Sequence, residues 1–391
     1  MVSRIARALL PASAQAVAPF LRPPAHLGSH LTLKRLLNLY RMRWEYARGR
    51  TVLRSRPIKL TVEAANVCNL RCPACFTGVG EIGRVRSMMS LELYRKLLAE
   101  LGDYLFECEF CNWGEPLLSK FIYTMIAEAH ARGLRTAIST NFSVPFDAER
   151  AERLVSSGLT VLGVSLDGAR QETYEQYRLR GSLDTVLTNC RLVREAKKKL
   201  QSATLNVVWE FHVFEHNVGD IELATAMARE LEMEIWIGKG WTVGAEWRDG
   251  GRFKFFADPG PSRCQFLWQQ AVVDNDGGVA PCCGAFYRED DLGRLAMTPA
   301  ELGASSFAEV WNGPSFREAR RLYRSRSGPP ETRQMICFDC PQTVIWENWK
   351  AHRASGGSAA SFRAGYSTND AFNFFFNRRP AKAPGAAAPV A

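Results

Sequence analysis

Three closely spaced cysteines constrain this chain more than any other feature of its sequence. They are Cys68, Cys72 and Cys75, in the pattern C-x3-C-x2-C. Three thiolates at this spacing can bind three irons of a [4Fe-4S] cluster and leave the fourth iron open to a reactive ligand. The same spacings also suit tetrahedral zinc, so a structural zinc site is the alternative. An open iron would indicate an enzyme, because a closed four-cysteine cluster mainly transfers electrons.

The composition agrees with metal binding in a reducing compartment. The chain has 391 residues, of which 46% are hydrophobic and 23% charged, which is typical of a globular protein with one large domain and an appendage. Its 11 cysteines fall mostly in small groups and not at the intervals of a secreted disulfide framework. We therefore expect a cytoplasmic protein.

The positive charge belongs to an N-terminal arm. Residues 1–60 contain twelve Lys or Arg against one acid, Glu45, although the whole chain has a net charge of only +10. Apolar residues recur at helical spacing in residues 5–10 and 31–46. Two interpretations stay open: a basic amphipathic helix in peripheral contact with an anionic membrane, or a helix packed across the bottom of the body with its arginines in solvent. No stretch approaches the ~18 apolar residues of a membrane span.

Strand and helix patterns alternate after the arm. Branched and aromatic runs predict strands, and the stretches between them have helical periodicity. This alternation predicts an α/β fold, a partial (β/α)6 TIM-like barrel with its chemistry at the carboxyl ends of the strands. The predicted strands cover residues 58–64, 105–111, 135–140, 161–166, 205–213 and 234–240, and the predicted helices cover residues 91–101, 120–132, 148–157, 183–199 and 221–231.

The segment that contains the three cysteines, residues 66–75 (NVCNLRCPAC), resembles the signature of the radical S-adenosylmethionine (SAM) superfamily. The resemblance implies that the open iron binds the amino and carboxylate groups of SAM. An electron from a flavodoxin- or ferredoxin-type reductant then cleaves SAM to a 5′-deoxyadenosyl radical, which abstracts a hydrogen from the substrate. The family often has an aromatic residue before the last cysteine, near the adenine. Ala74 stands there in this chain, and we predict that Phe76 substitutes for it.

Further motifs resemble the family's SAM contacts. The W-G-E-P segment at residues 113–116 implies that Gly114 and Glu115 hold the amino end of SAM. The segment at residues 139–141 resembles one whose polar side chains meet the ribose, which predicts Ser139 and Asn141 as contacts.

A fourth motif, S-L-D-G at residues 165–168, resembles a segment of the members that have a C-terminal extension. It implies that Ser165 touches the ribose or the carboxylate of SAM. Arg178 is predicted to pair with that carboxylate, because a guanidinium binds a carboxylate in a planar fork, and Arg180 is the alternative. Asp167 also fits a helix N-cap or a turn.

The predicted fifth and sixth strands are where substrate groups should lie. Glu210, His212 and Lys239 are candidate bases or binding groups if their side chains face the barrel interior.

A second cysteine set lies near the C terminus. Cys264, Cys282, Cys337 and Cys340 resemble the SPASM/twitch extension of radical SAM enzymes, with a predicted β-turn at Asp276–Gly277. The resemblance implies one auxiliary [4Fe-4S] cluster closed by these four thiolates, with Cys283 as a spare for Cys282. A structural zinc site is again the alternative.

These features predict four regions: a basic arm (1–56), the barrel (57–250), a twitch domain (251–350) and a C-terminal tail (351–391). In the tail, an aromatic segment at residues 371–376 is a candidate for docking on the body. The predicted chemistry is the oxidation of a small molecule or sugar. The alternatives are a peptide-modifying maturase that acts on a ribosomal precursor, an enzyme that modifies a lipid or lipid-linked glycan at a membrane, and a zinc-binding scaffold without activity. No nucleic-acid partner is expected.

Overall fold

The computed structural model describes residues 31–240, 262–296, 306–358 and 361–362. One nine-stranded sheet with the order β6-β5-β4-β3-β2-β1-β7-β8-β9 organises them. The strands from β6 to β7 in this order run parallel, whereas β8 is antiparallel to both of its neighbours, β7 and β9. The strands are β1 (Lys59–Val62), β2 (Glu107–Glu109), β3 (Arg135–Thr140), β4 (Val161–Ser165), β5 (Asn206–Val213), β6 (Glu234–Lys239), β7 (Gln270–Val273), β8 (Gly278–Ala280) and β9 (Gly293–Arg294).

Helices connect the parallel strands, as the alternating pattern predicts. Side chains of Ser90, Asp147 and Ser182 accept hydrogen bonds from the first turns of α2, α4 and α6, which fixes where these helices begin. The helices are α1 (Leu33–Arg48), α2 (Leu91–Leu101), α3 (Ile122–Ala131), α4 (Ala148–Ser156), α5 (Gln171–Tyr174), α6 (Leu183–Lys199), α7 (Ile221–Glu230), α8 (Phe307–Trp311), α9 (Pro314–Arg321), α10 (Pro330–Gln334), α11 (Ile336–Asp339) and α12 (Pro341–Ala354).

The predicted α/β architecture is confirmed, and the predicted strands and helices differ from the observed ones only at their ends, whereas α5 and α8–α12 were not predicted. The largest difference is β2, which is shorter than the predicted 105–111. The residues that flank it still bond to neighbouring backbone, since Phe106 N donates to Ile58 O at 2.8 Å and Phe110 N donates to Ala137 O at 2.9 Å. The apolar pattern therefore marked the buried segment correctly, whereas the regular ladder stops where the chain bends into loops.

The two faces of the sheet have opposite character. One face packs its apolar residues, such as Leu60 and Phe110, against the helices. The other face has charged residues at the amino ends of the strands, where Lys59 pairs with Glu107 and Glu109, and Arg135 pairs with Glu107. These ion pairs occupy the amino end of that face, so room for ligands lies towards the carboxyl ends.

The C-terminal extension continues the same sheet. β7 pairs parallel with β1, and β8 returns antiparallel after a turn at Asp276–Gly277, where Gly277 has a φ of 86°. The predicted hairpin is confirmed there, because only glycine adopts this backbone conformation readily. The predicted boundary at residues 250–251 lies outside the described residues, as do residues 5–10 of the arm and the aromatic segment at residues 371–376.

Helix α1 packs beneath the amino ends of the strands. Its buried Arg35 donates to the carbonyl oxygens of Arg132 at 2.7 Å and Gly102 at 3.2 Å, in the loops before β3 and β2. Leu39 and Met42 pack with Phe106 in a small apolar cluster. The helix therefore packs across the bottom of the body, as one of the two interpretations predicts, although its Arg35 is buried and not in solvent. Among the described helices, none is both long and apolar enough to cross a bilayer.

Candidate functional site

The three cysteines of the first motif lie together in the loop between β1 and α2, at the carboxyl end of the sheet. Cys72 is buried, and Cys68 and Cys75 are half-buried. An apolar shell surrounds them, which limits water access and lowers the local dielectric constant. Its members are Leu70, Ala74, Tyr177 and Phe214.

The sulfur atoms receive N–H donors from several parts of the chain. Cys68 Sγ accepts from Leu70 N at 3.4 Å and from Asn141 Nδ2 at 3.5 Å, and Arg178 Nη1 lies 3.9 Å from Cys72 Sγ. The backbone of Gly78 donates to Cys75. Donors of this kind stabilise the negative charge of cluster thiolates.

Burial raises the pKa of the Cys68 thiol to about 12 and raises the pKa values of Cys72 and Cys75 as well. The bare thiols are therefore neutral, and bound iron must supply the positive charge that holds them as thiolates. Three cysteine sulfur atoms that accept N–H hydrogen bonds are suited to bind three irons of a [4Fe-4S] cluster.

Asn141 and Glu115 hold in place the loop that contains Cys68, Cys72 and Cys75, which we call the cysteine loop. Asn141 also donates to Asn69 Oδ1 at 3.0 Å, and its own oxygen accepts from Ser143 N at 2.8 Å. The buried carboxylate of Glu115 accepts from Thr140 Oγ1 at 2.6 Å and from Asn141 N at 2.8 Å. Both side chains are thus occupied within the protein, and their predicted direct contacts with SAM stay predictions.

Gly114 meets a steric requirement within the protein itself, and its predicted contact with SAM stays a prediction. A Cβ at this position would lie 2.0 Å from the carbonyl oxygen of Ala65, in the segment that leads to Cys68. The close approach that requires glycine is thus between two protein backbones, and it seats the W-G-E-P segment against the cysteine loop.

Phe76 is buried in an aromatic cluster. Its ring stacks on Phe286 with centroids 4.7 Å apart and meets Trp113 edge-on at 5.0 Å. Tyr287 completes the cluster at 5.6 Å. Phe286 and Tyr287 belong to the C-terminal extension, so Phe76 joins the cysteine loop to that extension. The predicted contact of this ring with the adenine of SAM stays a prediction.

Three predicted residues meet on the polar face of the sheet. Ser139 Oγ donates to Glu210 Oε2 at 2.6 Å, and Ser165 Oγ donates to the same oxygen at 3.0 Å. They come from β3, β4 and β5. Gly163 makes the room, since a Cβ there would lie 2.3 Å from Glu210 Oε1. We call this set the Glu210 cluster; it is half-buried and near the carboxyl ends of the strands.

Arg178 and His212 share one carboxylate, that of Asp167. Asp167 Oδ2 accepts from Arg178 Nε at 2.6 Å, and Asp167 Oδ1 lies 3.0 Å from His212 Nδ1. Burial by itself would raise the pKa of Asp167, but Arg178 and then His212 outweigh it, so its pKa lies below the usual value. Asp167 therefore stays ionised and fixes Arg178 beside Cys72. The pairing of Arg178 with the SAM carboxylate stays a prediction.

Lys239 is separated from the other candidate bases. It stands opposite Val213 in the β5–β6 register, whereas His212 stands opposite Gly238. Because side chains alternate along a strand, Lys239 is on the face of Val213, opposite to that of Glu210 and His212. The structure brings Glu210 and His212 to the polar face, but not Lys239.

The four predicted auxiliary ligands also converge. Cys282 lies within electrostatic range of Cys264, Cys337 and Cys340, and burial together with these neighbours raises its pKa. Cys283 is exposed, and Glu109 is its strongest charged neighbour. Within the described ranges, no three Cys, His, Asp or Glu side chains enclose one point as a single metal ion requires. A four-iron cluster instead binds its thiolates on separate irons.

Tyr323 is a member of this second site that the sequence did not reveal. Its buried hydroxyl hydrogen bonds to Cys264, and it lies within electrostatic range of Cys337 and Cys340. Thr343 Oγ1 lies 3.0 Å from the Tyr323 oxygen and 2.7 Å from the carbonyl oxygen of Cys337. Tyr323 is far from every cysteine in sequence, so no local pattern could have identified it.

We expect Tyr323→Phe to lower the reduction potential of the auxiliary cluster. A hydrogen bond to a thiolate ligand stabilises the reduced, more negative cluster, and the substitution removes that bond while it keeps the ring. Redox titration followed by electron paramagnetic resonance measures the change. The matched control is Tyr94→Phe, a buried tyrosine that bonds to Met125 O at 2.7 Å in the barrel. An unchanged potential in Tyr323→Phe would contradict the role.

Two family patterns match this chain. The radical SAM superfamily matches residues 62–213, and the iron-sulfur cluster-binding domain SPASM matches residues 264–341. Together they cover more than half of the chain. A three-cysteine loop at the carboxyl end of a parallel sheet, followed by a four-cysteine site, defines an iron–sulfur enzyme. The chain belongs to the radical SAM superfamily and has a SPASM-type extension. Its cofactors are SAM, a SAM-binding [4Fe-4S] cluster and an auxiliary [4Fe-4S] cluster, so the zinc alternatives are set aside.

Individual relatives cover the chain unevenly. Fe-coproporphyrin III synthase from Methanosarcina barkeri is 32% identical over 39% of this chain and 36% of that protein. PqqA peptide cyclase from Xanthomonas axonopodis pv. citri is 24% identical over 78% of this chain and 86% of that protein. Among solved structures, Streptococcus suis SuiB has a TM-score of 0.51 at 13% identity, covering 73% of this chain and 72% of its own. This last similarity shows a shared fold.

Proposed function

We propose that this radical SAM enzyme catalyses the two-electron oxidation of a hydroxyl-bearing small molecule or sugar. The observation that supports this proposal best is the Glu210 cluster. It presents two hydroxyls and one carboxylate at the end of the sheet where the cysteine loop lies. Hydroxyls and carboxylates of this kind bind alcohol groups by hydrogen bonds.

Oxidation of an alcohol carbon to a carbonyl removes one hydrogen atom, one proton and one further electron. When bound, the SAM cluster and SAM supply the radical that removes the hydrogen atom, and the auxiliary cluster supplies an acceptor for the electron. The proton needs a base from the chain. Glu210 is the proposed base, and Ser139 and Ser165 orient its Oε2. Asp167 keeps Arg178 and His212 in fixed positions beside this site.

A peptide substrate is the second candidate, and one observation favours it. The PqqA peptide cyclases of two Xanthomonas strains match this chain over 78% of its length. A peptide cross-link also removes two hydrogens overall, so the same base and electron acceptor would serve. The two candidates therefore differ in the substrate class and not in the oxidative chemistry.

A substrate screen tests the proposal. The reconstituted protein is incubated without oxygen with SAM and dithionite, together with either a pool of polyols and nucleotide sugars or synthetic peptides from neighbouring genes. We expect the first pool to stimulate 5′-deoxyadenosine formation and to give a product about two mass units lighter, having lost two hydrogens. Stimulation by the peptides alone would overturn the small-molecule proposal, and a product with no loss of hydrogen would overturn the oxidation.

Glu210→Gln tests the role of the base with the substrate that the screen identifies. We expect roughly 10²–10⁴-fold less product, because the amide does not accept the proton. Iron content and 5′-deoxyadenosine formation should persist, since hydrogen abstraction precedes proton loss. The matched control is Glu234→Gln, an exposed glutamate at the start of β6. Undiminished product formation by Glu210→Gln would contradict the assignment.

A further inference from the structure

Helix α1 has an apolar stripe on its outer face. Leu33, Leu37, Tyr40 and Trp44 are 72%, 55%, 42% and 51% exposed. Their spacing of three or four residues places them within one narrow arc of a helix with 3.6 residues per turn. The opposite arc packs on the body through Leu39 and Met42, so packing against the described part of the fold accounts for that arc and not for the stripe.

Basic side chains border the stripe, and no acid does so from within the helix. Arg41, Arg48 and Arg50 are exposed, and the guanidinium groups of Arg48 and Arg50 each lie 5.7 Å from the Trp44 ring centroid. The one acid of α1, Glu45, is buried and accepts hydrogen bonds from Arg54 N at 2.7 Å and Ser55 Oγ at 2.6 Å. The outer face of α1 is thus apolar at its centre and positive at its edges.

We propose that the outer face of α1 docks the enzyme on an anionic lipid membrane. Tryptophan, tyrosine and arginine are the side chains that settle where hydrocarbon meets charged headgroups, and leucines enter the acyl region beneath. Basic residues add attraction to anionic lipid headgroups. A nucleic acid would offer the negative charge but no apolar layer to bury the leucines.

Charge argues against two other occupants of this face. Residues 1–30 contain Arg4, Arg7 and Arg22 and no Asp or Glu, so the preceding arm has the same sign of charge as the face. A second copy paired face to face would likewise oppose arginine to arginine. Both arrangements place like charges together at low dielectric, which is unfavourable.

Docking through α1 would leave the cofactor site facing away from the bilayer. The helix lies beneath the amino ends of the strands, near Gly102 and Arg132, whereas the cysteine loop follows the carboxyl end of β1. The membrane contact would therefore fix the location of the enzyme without bringing lipid to the cysteine loop.

Vesicle flotation with the full-length, cluster-loaded protein tests the docking. We expect binding to vesicles of phosphatidylglycerol and phosphatidylcholine, weaker binding at high salt, and little binding to phosphatidylcholine alone. Leu37→Ser combined with Trp44→Ser should weaken binding by roughly tenfold or more, because both apolar side chains leave the membrane. The matched control is Leu200→Ser, a 40% exposed leucine at the end of α6.

Three outcomes would overturn the docking. One is no binding to anionic vesicles. Another is binding that survives the Leu37/Trp44 variant and is lost when Arg4, Arg7 and Arg22 are changed to serine, since the arm would then be the membrane contact. The third is a dimer in analytical ultracentrifugation that the Leu37/Trp44 variant dissociates, since a second copy would then cover the face. Each readout is independent of catalysis.

Discussion

Cys72→Ala is expected to abolish SAM cleavage while the rest of the protein stays folded. The wild type should contain about eight irons per chain in its two four-iron clusters, and the variant about four, because two thiolates do not retain the SAM-binding cluster. Iron and sulfide analysis after anaerobic reconstitution gives these counts. 5′-Deoxyadenosine formed from SAM with dithionite should fall to background in the variant.

The control for this experiment is Cys190→Ala, which removes another buried thiol from α6. It should keep both clusters and normal deoxyadenosine formation, at a modest stability cost from the small cavity. Cleavage of SAM by Cys72→Ala at the wild-type rate would contradict the assignment of the cysteine loop. Zinc in place of iron in the wild type would contradict the iron–sulfur chemistry as a whole.

The second large effect is expected from Arg84→Met, which should lower the free energy of unfolding by about 3–5 kcal/mol. Arg84 lies in the loop after the three cysteines, and its side chain is almost fully buried. It pairs with Asp274 at 2.9 Å, Asp276 at 3.1 Å and Asp291 at 3.0 Å, all from the C-terminal extension. Removal of this cation leaves buried carboxylates without their main counter-charge.

Denaturant unfolding of the anaerobic, cluster-loaded protein measures the change. Arg86→Met is the matched control, because Arg86 is exposed in the same loop and should change the free energy of unfolding little. The difference in free energy of unfolding between the wild type and Arg84→Met should become smaller as the pH falls, since the aspartates then become neutral. Wild-type stability in Arg84→Met would show that the pairs do not join the extension to the cysteine loop.

Glu63 beside this cluster gives the wild type a pH dependence of its own. Burial raises the pKa of Glu63 from 4.5 to about 7, and Arg84 only partly opposes this. Because the folded-state pKa lies above the unfolded value, the neutral form favours the fold. Its contribution to stability is full below about pH 4.5 and is lost as the pH rises towards 7. Glu63→Gln should make the free energy of unfolding less dependent on pH between about 4.5 and 7. An unchanged pH dependence in this variant would contradict the role of Glu63.

Local patterns in the sequence predicted most of the fold. Period-two and helical repeats marked β1–β6, α2–α4, α6 and α7 within one or two residues of their ends, because burial of one face imposes a period on the sequence. The cysteine spacing predicted the first cluster site for a similar reason: its three ligands come from one short loop, so their spacing is visible in the sequence. Strand β3 and helices α2 and α6 begin and end at the predicted residues.

Contacts between side chains that are far apart in the sequence could not be predicted from those local patterns. Asp167 looked like a helix cap, whereas its carboxylate holds both Arg178 and His212. The stacking of Phe76 on Phe286, which comes much later in the chain, likewise had no local signal in the sequence.

The sequence alone determined the class of chemistry, because the three ligands of the SAM-binding cluster lie in one short segment whose spacing is visible in the sequence. The tertiary structure showed which side chains hold the two cysteine sites together. Asn141 and Glu115 support the cysteine loop, and Tyr323 bonds to a cysteine of the auxiliary site. Such roles depend on which groups meet when the sheet is complete. A hydrogen bond between strands, or between the barrel and its extension, joins residues that are far apart in the sequence, so no local pattern reveals it.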